Sequence, residues 1–215
     1  MDRSKVAIII PAFNEENTIS NVVRASTKFG TAIVIDDGST DKTAEKAKKI
    51  GAIVITHKIN QGYDIALDTG FKKASKLKYN YIITLDADGQ HEPRLLKNFI
   101  DVLDAGVSIV IGVRNKKARL AEYLFGFYTN YRYGIIDPLC GLKAYRFKNY
   151  NPKKYFGTYK SIGTELMLRS ISTGKKYEQI YFKVKERQGK TRFGNSFLAN
   201  LKILRSLFYC MLKKY

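Results

Sequence analysis

Through the first half of the chain, short apolar runs alternate with longer amphipathic stretches. Val6-Ala-Ile-Ile-Ile10, Ala32-Ile-Val-Ile35, Ala52 to Thr56, Tyr81-Ile-Ile-Thr-Leu85 and Val107 to Ile111 are continuous, rich in β-branched residues and of strand length. Between them, Ile19, Val22, Val23 and Ser26, and later Leu67, Gly70, Phe71, Ala74 and Leu77, recur at helical spacing. Asn14 is the expected cap of the first helix and Gly30 its end. Ser39 or Thr40 is expected to cap the second, with Asp41 in its first turn and Gly51 just past its end. A further helix is expected from about Pro93 to Ala105. Uninterrupted apolar strands in β-α-β-α-β order predict an α/β protein whose mostly parallel sheet is flanked by helices on both faces.

Sheets of this kind bind ligands beyond the carboxyl ends of their strands. Three polar segments follow strands immediately, Pro11-Ala-Phe13-Asn-Glu15, Asp36-Asp37 and Asp86-Ala-Asp88-Gly-Gln90, so the topology brings them to one rim. Extended backbone turns alternate side chains the same way, so Asp86, Asp88 and Gln90 are expected to converge. Three oxygen donors at a strand end make a site for a hard divalent cation, with room for a substrate phosphate. A single acidic strand end is also an ordinary turn; three on one rim point to a site.

Beyond Gly112 the texture changes. Residues Arg114 to Gly134 are basic and aromatic, with Tyr123, Leu124, Phe125, Phe127, Tyr128, Tyr131 and Tyr133 close together. Asp137-Pro-Leu-Cys-Gly141 follows, then a helix from about Thr164 to Gly174 and a strand in which Ile180, Phe182 and Val184 alternate. In the tail, Phe197, Leu198, Leu201, Leu204, Phe208, Met211 and Leu212 interleave with Lys202, Arg205 and Lys213, the pattern of an amphipathic basic helix.

Charge narrows the partners. Across 215 residues, 38 Lys+Arg against 19 Asp+Glu leave a formal +19. Such a field attracts nucleic acid, anionic lipid head groups or phosphorylated substrates. Cys140 and Cys210 offer no disulfide framework and suit a reducing compartment. The five-residue apolar run after Lys5 is too short to read as a signal peptide. No stretch approaches the roughly 18 apolar residues of a bilayer span.

Five segments occur in order: Pro11-Ala-Phe-Asn-Glu15, Asp36-Asp-Gly-Ser39, Asn60-x-Gly62-x-x-x-Ala66-x-x-x-Gly70, Asp86-Ala-Asp-Gly-Gln90-His-x-Pro93 and Asp137-x-x-Cys-Gly141. Together they resemble the family 2 glycosyltransferases of GT-A fold, and within these the polyprenyl (dolichyl)-phosphate mannose or glucose synthases. Glu186-Arg187-x-Gly189-Lys-Thr-Arg192 is similar to that group's basic Gly-x-Ser-Lys segment, so the resemblance runs over roughly residues 5 to 195. It implies a GT-A domain over 1–196, with a nucleotide-sugar half (1–112) and an acceptor half (113–196), followed by the amphipathic helix over 197–215. It departs from the group's pattern in a short segment before Asp137, in Tyr63-Asp64, where small or basic residues are common, and in lacking the transmembrane helices of many members.

The roles implied by the resemblance are these. Pro11, Phe13, Glu15, Asp37, Asn60 and Gly62 would bind the nucleotide sugar, and Asp86, Asp88 and Gln90 would hold Mg²⁺ or Mn²⁺ on its diphosphate. Arg114, a second loop arginine that is either Arg119 or Arg132, and the segment carrying Arg187 and Arg192 would bind phosphate groups. Asp88, Arg114 and Asp137 are the candidate catalytic residues, with Asp137 either orienting the acceptor or fixing a turn. The implied reaction moves a hexose, from a donor of GDP-mannose or UDP-glucose type, to a polyprenyl phosphate.

The chemistry of that reaction agrees with the residues. A phosphate monoester is already ionised near neutrality and needs no strong general base, so neither His57 nor His91 is expected to be essential. In-line attack would invert the anomeric carbon. The aromatic and basic stretches would dock the protein peripherally on the anionic, cytoplasmic face of a membrane. Three other readings stand beside this one. The first is a family 2 transferase for a polysaccharide or soluble hydroxyl, with Asp137 or Glu165 as base. The second is a sugar-nucleotide sensor without turnover. The third is a basic nucleic-acid binder, which leaves the acidic rim unexplained.

Overall fold

The computed structural model describes residues 2–92, 94–147, 162–185 and 196–212. At its centre lies β1 (Val6–Ala12), every residue of which is buried. Parallel to it on either side run β2 (Thr31–Asp36) and β4 (Tyr81–Thr84), with β3 (Ile53–Thr56) parallel beyond β2. The other half contains β5 (Ile109–Arg114), β6 (Lys143–Arg146) and β7 (Tyr177–Phe182), and the sheet order is β3-β2-β1-β4-β6-β5-β7.

Helices cover both faces, as the apolar strands require. One core cluster joins Ile8, Ile10, Val34 and Ile83 to α1 (Ile19–Ser26), α2 (Thr43–Lys49) and α4 (Leu95–Asp104). The opposite cluster joins Ile9, Ile33, Ile82 and Ile111 to α3 (Tyr63–Lys76), α5 (Leu120–Tyr133) and α6 (Ile162–Ser172). On this second face Gly70 lets α3 settle on the sheet: a Cβ there would run into the Ile9 side chain and meet Ile35 Cγ1 at 3.4 Å. The small-residue spacing of Ala66, Gly70 and Ala74 therefore serves packing. The last helix, α7 (Ser196–Leu212), lies against α5, and Asn200 Oδ1 accepts the Ala121 N–H at 3.1 Å.

Local expectations need correcting. Asn14 caps no helix; it has φ +53°, and its Oδ1 accepts the Thr40 N–H at 2.9 Å, clipping the loop after β1 to the loop after β2. Thr18 stands at the start of α1. Neither Ser39 nor Thr40 caps α2; Asp41 takes the Thr43 N–H at 2.9 Å just before it. The larger surprise is β6, which pairs antiparallel with β4 and β5 and separates them. Because it reverses direction, β5 and β7 still run parallel to β4, and their carboxyl ends reach the same rim. The amino end of β6, with the Asp137–Gly141 loop before it, arrives there too.

Candidate functional site

The rim begins with two loops fastened to each other. Pro11 is the buried last-but-one residue of β1, Phe13 is half-buried, and the buried Glu15 carboxylate accepts the Thr18 hydroxyl at 2.7 Å. Asp37, also buried, fastens the loop before α3: Oδ1 takes the His57 Nδ1 hydrogen at 2.7 Å and the Gln61 N–H at 3.0 Å, and Oδ2 takes the Gly62 N–H at 2.8 Å. His57 Nε2 lies 3.0 Å from the Thr69 hydroxyl on α3. Gly38 has φ +75° and a Cβ there would lie 2.8 Å from Asn60 N, so the loop carrying exposed Asn60 passes directly over it.

Strand β4 stops at Thr84, and a turn at Ala87 and Asp88, followed by Gly89 at φ +74°, keeps Asp86, Asp88 and Gln90 from lying along one continuous strand. They keep to one end of the strand, but strand alternation is not what places them. Asp86 is clasped from both oxygens: Oδ1 accepts the Tyr63 hydroxyl at 3.0 Å, and Oδ2 lies 3.2 Å from His91 Nε2. Gly141 backs directly onto the same carboxylate, leaving no space for a side chain. Burial works against the Asp86 charge, but the His91 bond and charge, the Tyr63 hydroxyl and the Arg114 charge outweigh it and hold the carboxyl below its ordinary range. The same burial and the Asp86 charge push the Tyr63 hydroxyl well above the ordinary phenol, so it stays a donor. Asp88 is buried and accepts the Gln90 N–H at 3.1 Å, while the Gln90 side chain donates to the Lys185 carbonyl at 3.3 Å.

At the end of β5, Arg114 makes a two-pronged pair with Asp137, Nε to Oδ2 at 2.7 Å and Nη2 to Oδ1 at 2.9 Å. Its Nη2 also donates to Glu122 Oε2 at 2.9 Å, and Glu122 Oε1 takes Arg119 Nη1 at 3.2 Å. Glu122 thus gathers Arg114 and Arg119 at the amino end of α5. Arg132, at the other end of that helix, is exposed and stacks over Tyr133. Between the two arginines left open by the sequence, the structure brings Arg119 into the cluster and leaves Arg132 outside. Burial opposes the Arg114 charge, but the Asp137 bonds raise its pKa. Burial likewise opposes the Asp137 charge, and the Arg114 bonds hold its carboxyl below the usual range. Asp137 is fully buried with both oxygens on Arg114. Arg187 and Arg192 lie outside the described residues, as does Pro93.

Buried Lys143, at the start of β6, was not expected. Its ammonium donates to the Cys140 carbonyl at 2.6 Å, and burial pulls its pKa down against the charges of Asp137 and Asp86. Beside it, burial pushes the Cys140 thiol up to about 12, so it is an inert apolar filler. Sequence reasoning did not single out Glu122 or Lys143; it noted Tyr63 only as a departure from the family pattern and His91 only as a residue not expected to be essential. Glu122 carried one signal, a carboxylate in the first turn of an aromatic helix with arginine three residues before it; the others meet their partners only through the fold.

The assembled rim offers hard oxygen donors on one side and guanidinium groups on the other. Among the described residues, no three His, Cys, Asp or Glu side chains gather closely enough to enclose a metal unaided. Two carboxylates and a carboxamide fit a cation such as Mg²⁺, which takes few protein ligands and completes its shell with phosphate oxygens.

Comparisons with known proteins bear on the fold and the family. Crystal structures of glucosyl-3-phosphoglycerate synthase from Mycobacterium tuberculosis share the fold. The form with Mn²⁺, UDP and phosphoglyceric acid has a TM-score of 0.74 at 19% identity, over 97% of this chain and 79% of that one. The form with Mg²⁺ and UDP has a TM-score of 0.74 at 19% identity, over 98% and 80%. The architecture is therefore that of the GT-A enzymes.

An uncharacterized protein of Methanocaldococcus jannaschii is 43% identical over 76 residues, which are 34% of this chain and 31% of that protein. A UDP-N-acetylglucosamine–dolichyl-phosphate N-acetylglucosaminyltransferase of Methanococcus voltae is 34% identical over 91 residues, 34% of this chain and 36% of that enzyme. These matches span about a third of the length of each curated relative. The model for "Glycosyl transferase family 2" matches residues 7–172, nearly the whole sheet and the rim built on it, and the chain belongs to that family.

Proposed function

We propose that the protein transfers a hexose from a nucleotide diphosphate sugar, of GDP-mannose or UDP-glucose type, to a polyprenyl (dolichyl) phosphate, with Mg²⁺ or Mn²⁺ and with inversion at the anomeric carbon. One observation carries this reading: the Asp86–Asp88 turn and the Arg114–Arg119 pair share a rim, close enough for the Arg114 charge to act on Asp86. An acidic turn for the metal-bound leaving group thus shares the rim with a guanidinium cluster for an anionic acceptor. The Methanococcus voltae relative acts on dolichyl phosphate, which supports the acceptor class.

Asp86, Asp88 and Gln90 would hold the cation, which supplies Lewis-acid neutralisation of the departing diphosphate. Pro11, Phe13, Glu15 and Asp37, with the Asn60–Gly62 loop, line the nucleotide side. Arg114 and Arg119 bind the acceptor phosphate, and Asp137 and Glu122 hold their guanidinium planes in place. The acceptor dianion attacks without giving up a proton, so no base is needed. A hydroxyl acceptor would need one, and both candidates are committed: Asp137 to Arg114, and buried Glu165 to Arg169 at 3.0 Å. A nucleic-acid role would set carboxylates against a polyanion.

The acceptor's lipid requires contact with a membrane. Helices α5 and α7 pack side by side and leave apolar residues outward, among them Phe127 (77% exposed), Tyr131 (86%), Phe197 and Phe208. Helix α7 contains no acidic residue, while Lys202 and Arg205 are exposed. No helix among the described residues is long and apolar enough to cross a membrane. The outward apolar residues and the basic face of α7 support docking of these two helices on an anionic cytoplasmic membrane surface. A panel of radiolabelled nucleotide sugars with a short polyprenyl phosphate and Mn²⁺ tests the proposal: Asp88→Ala should abolish labelled lipid while thermal unfolding stays cooperative. Undiminished transfer by that folded variant would remove the metal assignment.

A further inference from the structure

The segment Gln61-Gly62-Tyr63 touches both acidic centres of the rim. Its two backbone N–H groups bind Asp37, at 3.0 and 2.8 Å, and its tyrosine hydroxyl binds Asp86 Oδ1 at 3.0 Å. Gly62 supplies the bend, with φ +95°, that sends the backbone toward one carboxylate and the next side chain toward the other. Tyr63 is 39% exposed, so the core does not require it there. On the far side of Asp86, His91 holds Oδ2, and Gly141 closes the space behind.

Resting on the metal assignment above, we propose that Tyr63 is a positioning residue that fixes Asp86 for cation binding and ties its orientation to the nucleotide loop anchored on Asp37. A carboxylate offers about four lone-pair directions over its two oxygens. One hydrogen bond on each leaves both oxygens able to face a cation while preventing rotation about the Cβ–Cγ bond. Partners of this kind typically change metal affinity by about 10- to 100-fold. The shared segment gives the link its direction. Loosening Asp37 frees the loop, and a loosened loop no longer delivers the hydroxyl.

The test is Mn²⁺ affinity of the protein saturated with a nucleoside diphosphate (GDP and UDP in turn), which supplies the phosphate oxygens of the shell, read by the loss of the free-Mn²⁺ electron paramagnetic resonance signal beyond that caused by the nucleotide alone. Tyr63→Phe, which keeps the ring and removes one hydroxyl, should weaken binding about tenfold with unchanged thermal stability. Asp37→Asn should also weaken Mn²⁺ binding, and adding it to Tyr63→Phe should cost little more, because both act through one contact. Equal affinity of Tyr63→Phe and wild type, or tighter binding by the variant, overturns the inference while leaving the metal site standing. Strictly additive effects of the two substitutions overturn the link to the nucleotide loop. Absence of Mn²⁺ binding by the wild type sinks the metal assignment and this inference with it. If Asp37→Asn does not fold, the Tyr63→Phe titration alone decides.

Discussion

Gly141→Ala is the smallest change that should disable the rim. The added methyl carbon would lie 2.5 Å from Asp86 Cγ and closer still to both carboxylate oxygens. Carbon atoms in contact prefer about 3.5 Å or more, so roughly 1 Å must be found by one side or the other. The backbone at 141 cannot give easily. Its own carbonyl accepts the Thr84 hydroxyl at 2.6 Å, and the preceding carbonyl accepts the Lys143 ammonium at 2.6 Å. Asp86 must therefore swing away from Tyr63 and His91.

A displacement of about 1 Å in a positioning element lowers turnover about 100-fold, equivalent to about 2.7 kcal/mol of barrier. Crowding of this kind reduces folding stability by about 1–3 kcal/mol. Steady-state kinetics over a Mn²⁺ series, with a thermal melt beside them, separate the two effects. We expect the variant to remain folded, to require more Mn²⁺ and to lose most of its kcat. A variant within threefold of wild type at the same Mn²⁺ concentration would refute the reasoning, because the carboxylate would then be free to move without consequence.

Three further outcomes follow from the same geometry. Glu122→Gln unties Arg119 from Arg114, so the acceptor KM should rise about tenfold, a loss of about 1.4 kcal/mol, with the donor KM unmoved; parallel rises in both would contradict the assignment. Asp137 has its carboxyl pKa lowered in the folded state, so its stabilisation is complete above the ordinary value of about 3.9 and is lost as pH falls through the folded value. Thermal midpoints should thus fall below about pH 4, and Asp137→Asn should lower the midpoint at neutral pH while flattening that acid decline; an unchanged decline would count against the pair. Replacing both Lys202 and Arg205 by Gln should weaken binding to phosphatidylserine vesicles by about 2 kcal/mol, roughly 30-fold, with no effect on neutral vesicles. Equal loss on both vesicle types would mean that charge is not what holds α7 to the surface.

Much of this arrangement was legible in the residues. Apolar runs such as Val6 to Ile10 could be little else than buried parallel strands, and the polar segments at their ends had to share a rim. Strand β6 was hidden because Lys143-Ala-Tyr-Arg146 carries charge at both ends and only four residues. Its place is set by Thr84, whose hydroxyl bonds the Gly141 carbonyl and takes the Lys143 N–H, contacts 57 and 59 residues apart that no local pattern reports. The pleated-strand argument for Asp86 and Asp88 does not hold past Thr84, where the strand ends and a turn with Gly89 at φ +74° follows. The Arg119 or Arg132 question was open because helical spacing alone does not say which end of α5 meets β5. In the structure the buried Glu122 holds Arg119 beside Arg114, and Arg132 stands at the other end of the helix. Tyr63 reads only as a departure from the family pattern until the bend at Gly62 aims it at Asp86.

The most direct test of the account is transfer of labelled sugar from a nucleotide sugar to a short polyprenyl phosphate, by the wild-type protein, with and without Mn²⁺. The account predicts a labelled lipid phosphate whose formation requires the cation. Full transfer after chelation, or sugar delivered to a neutral hydroxyl and never to the phosphate, would contradict it.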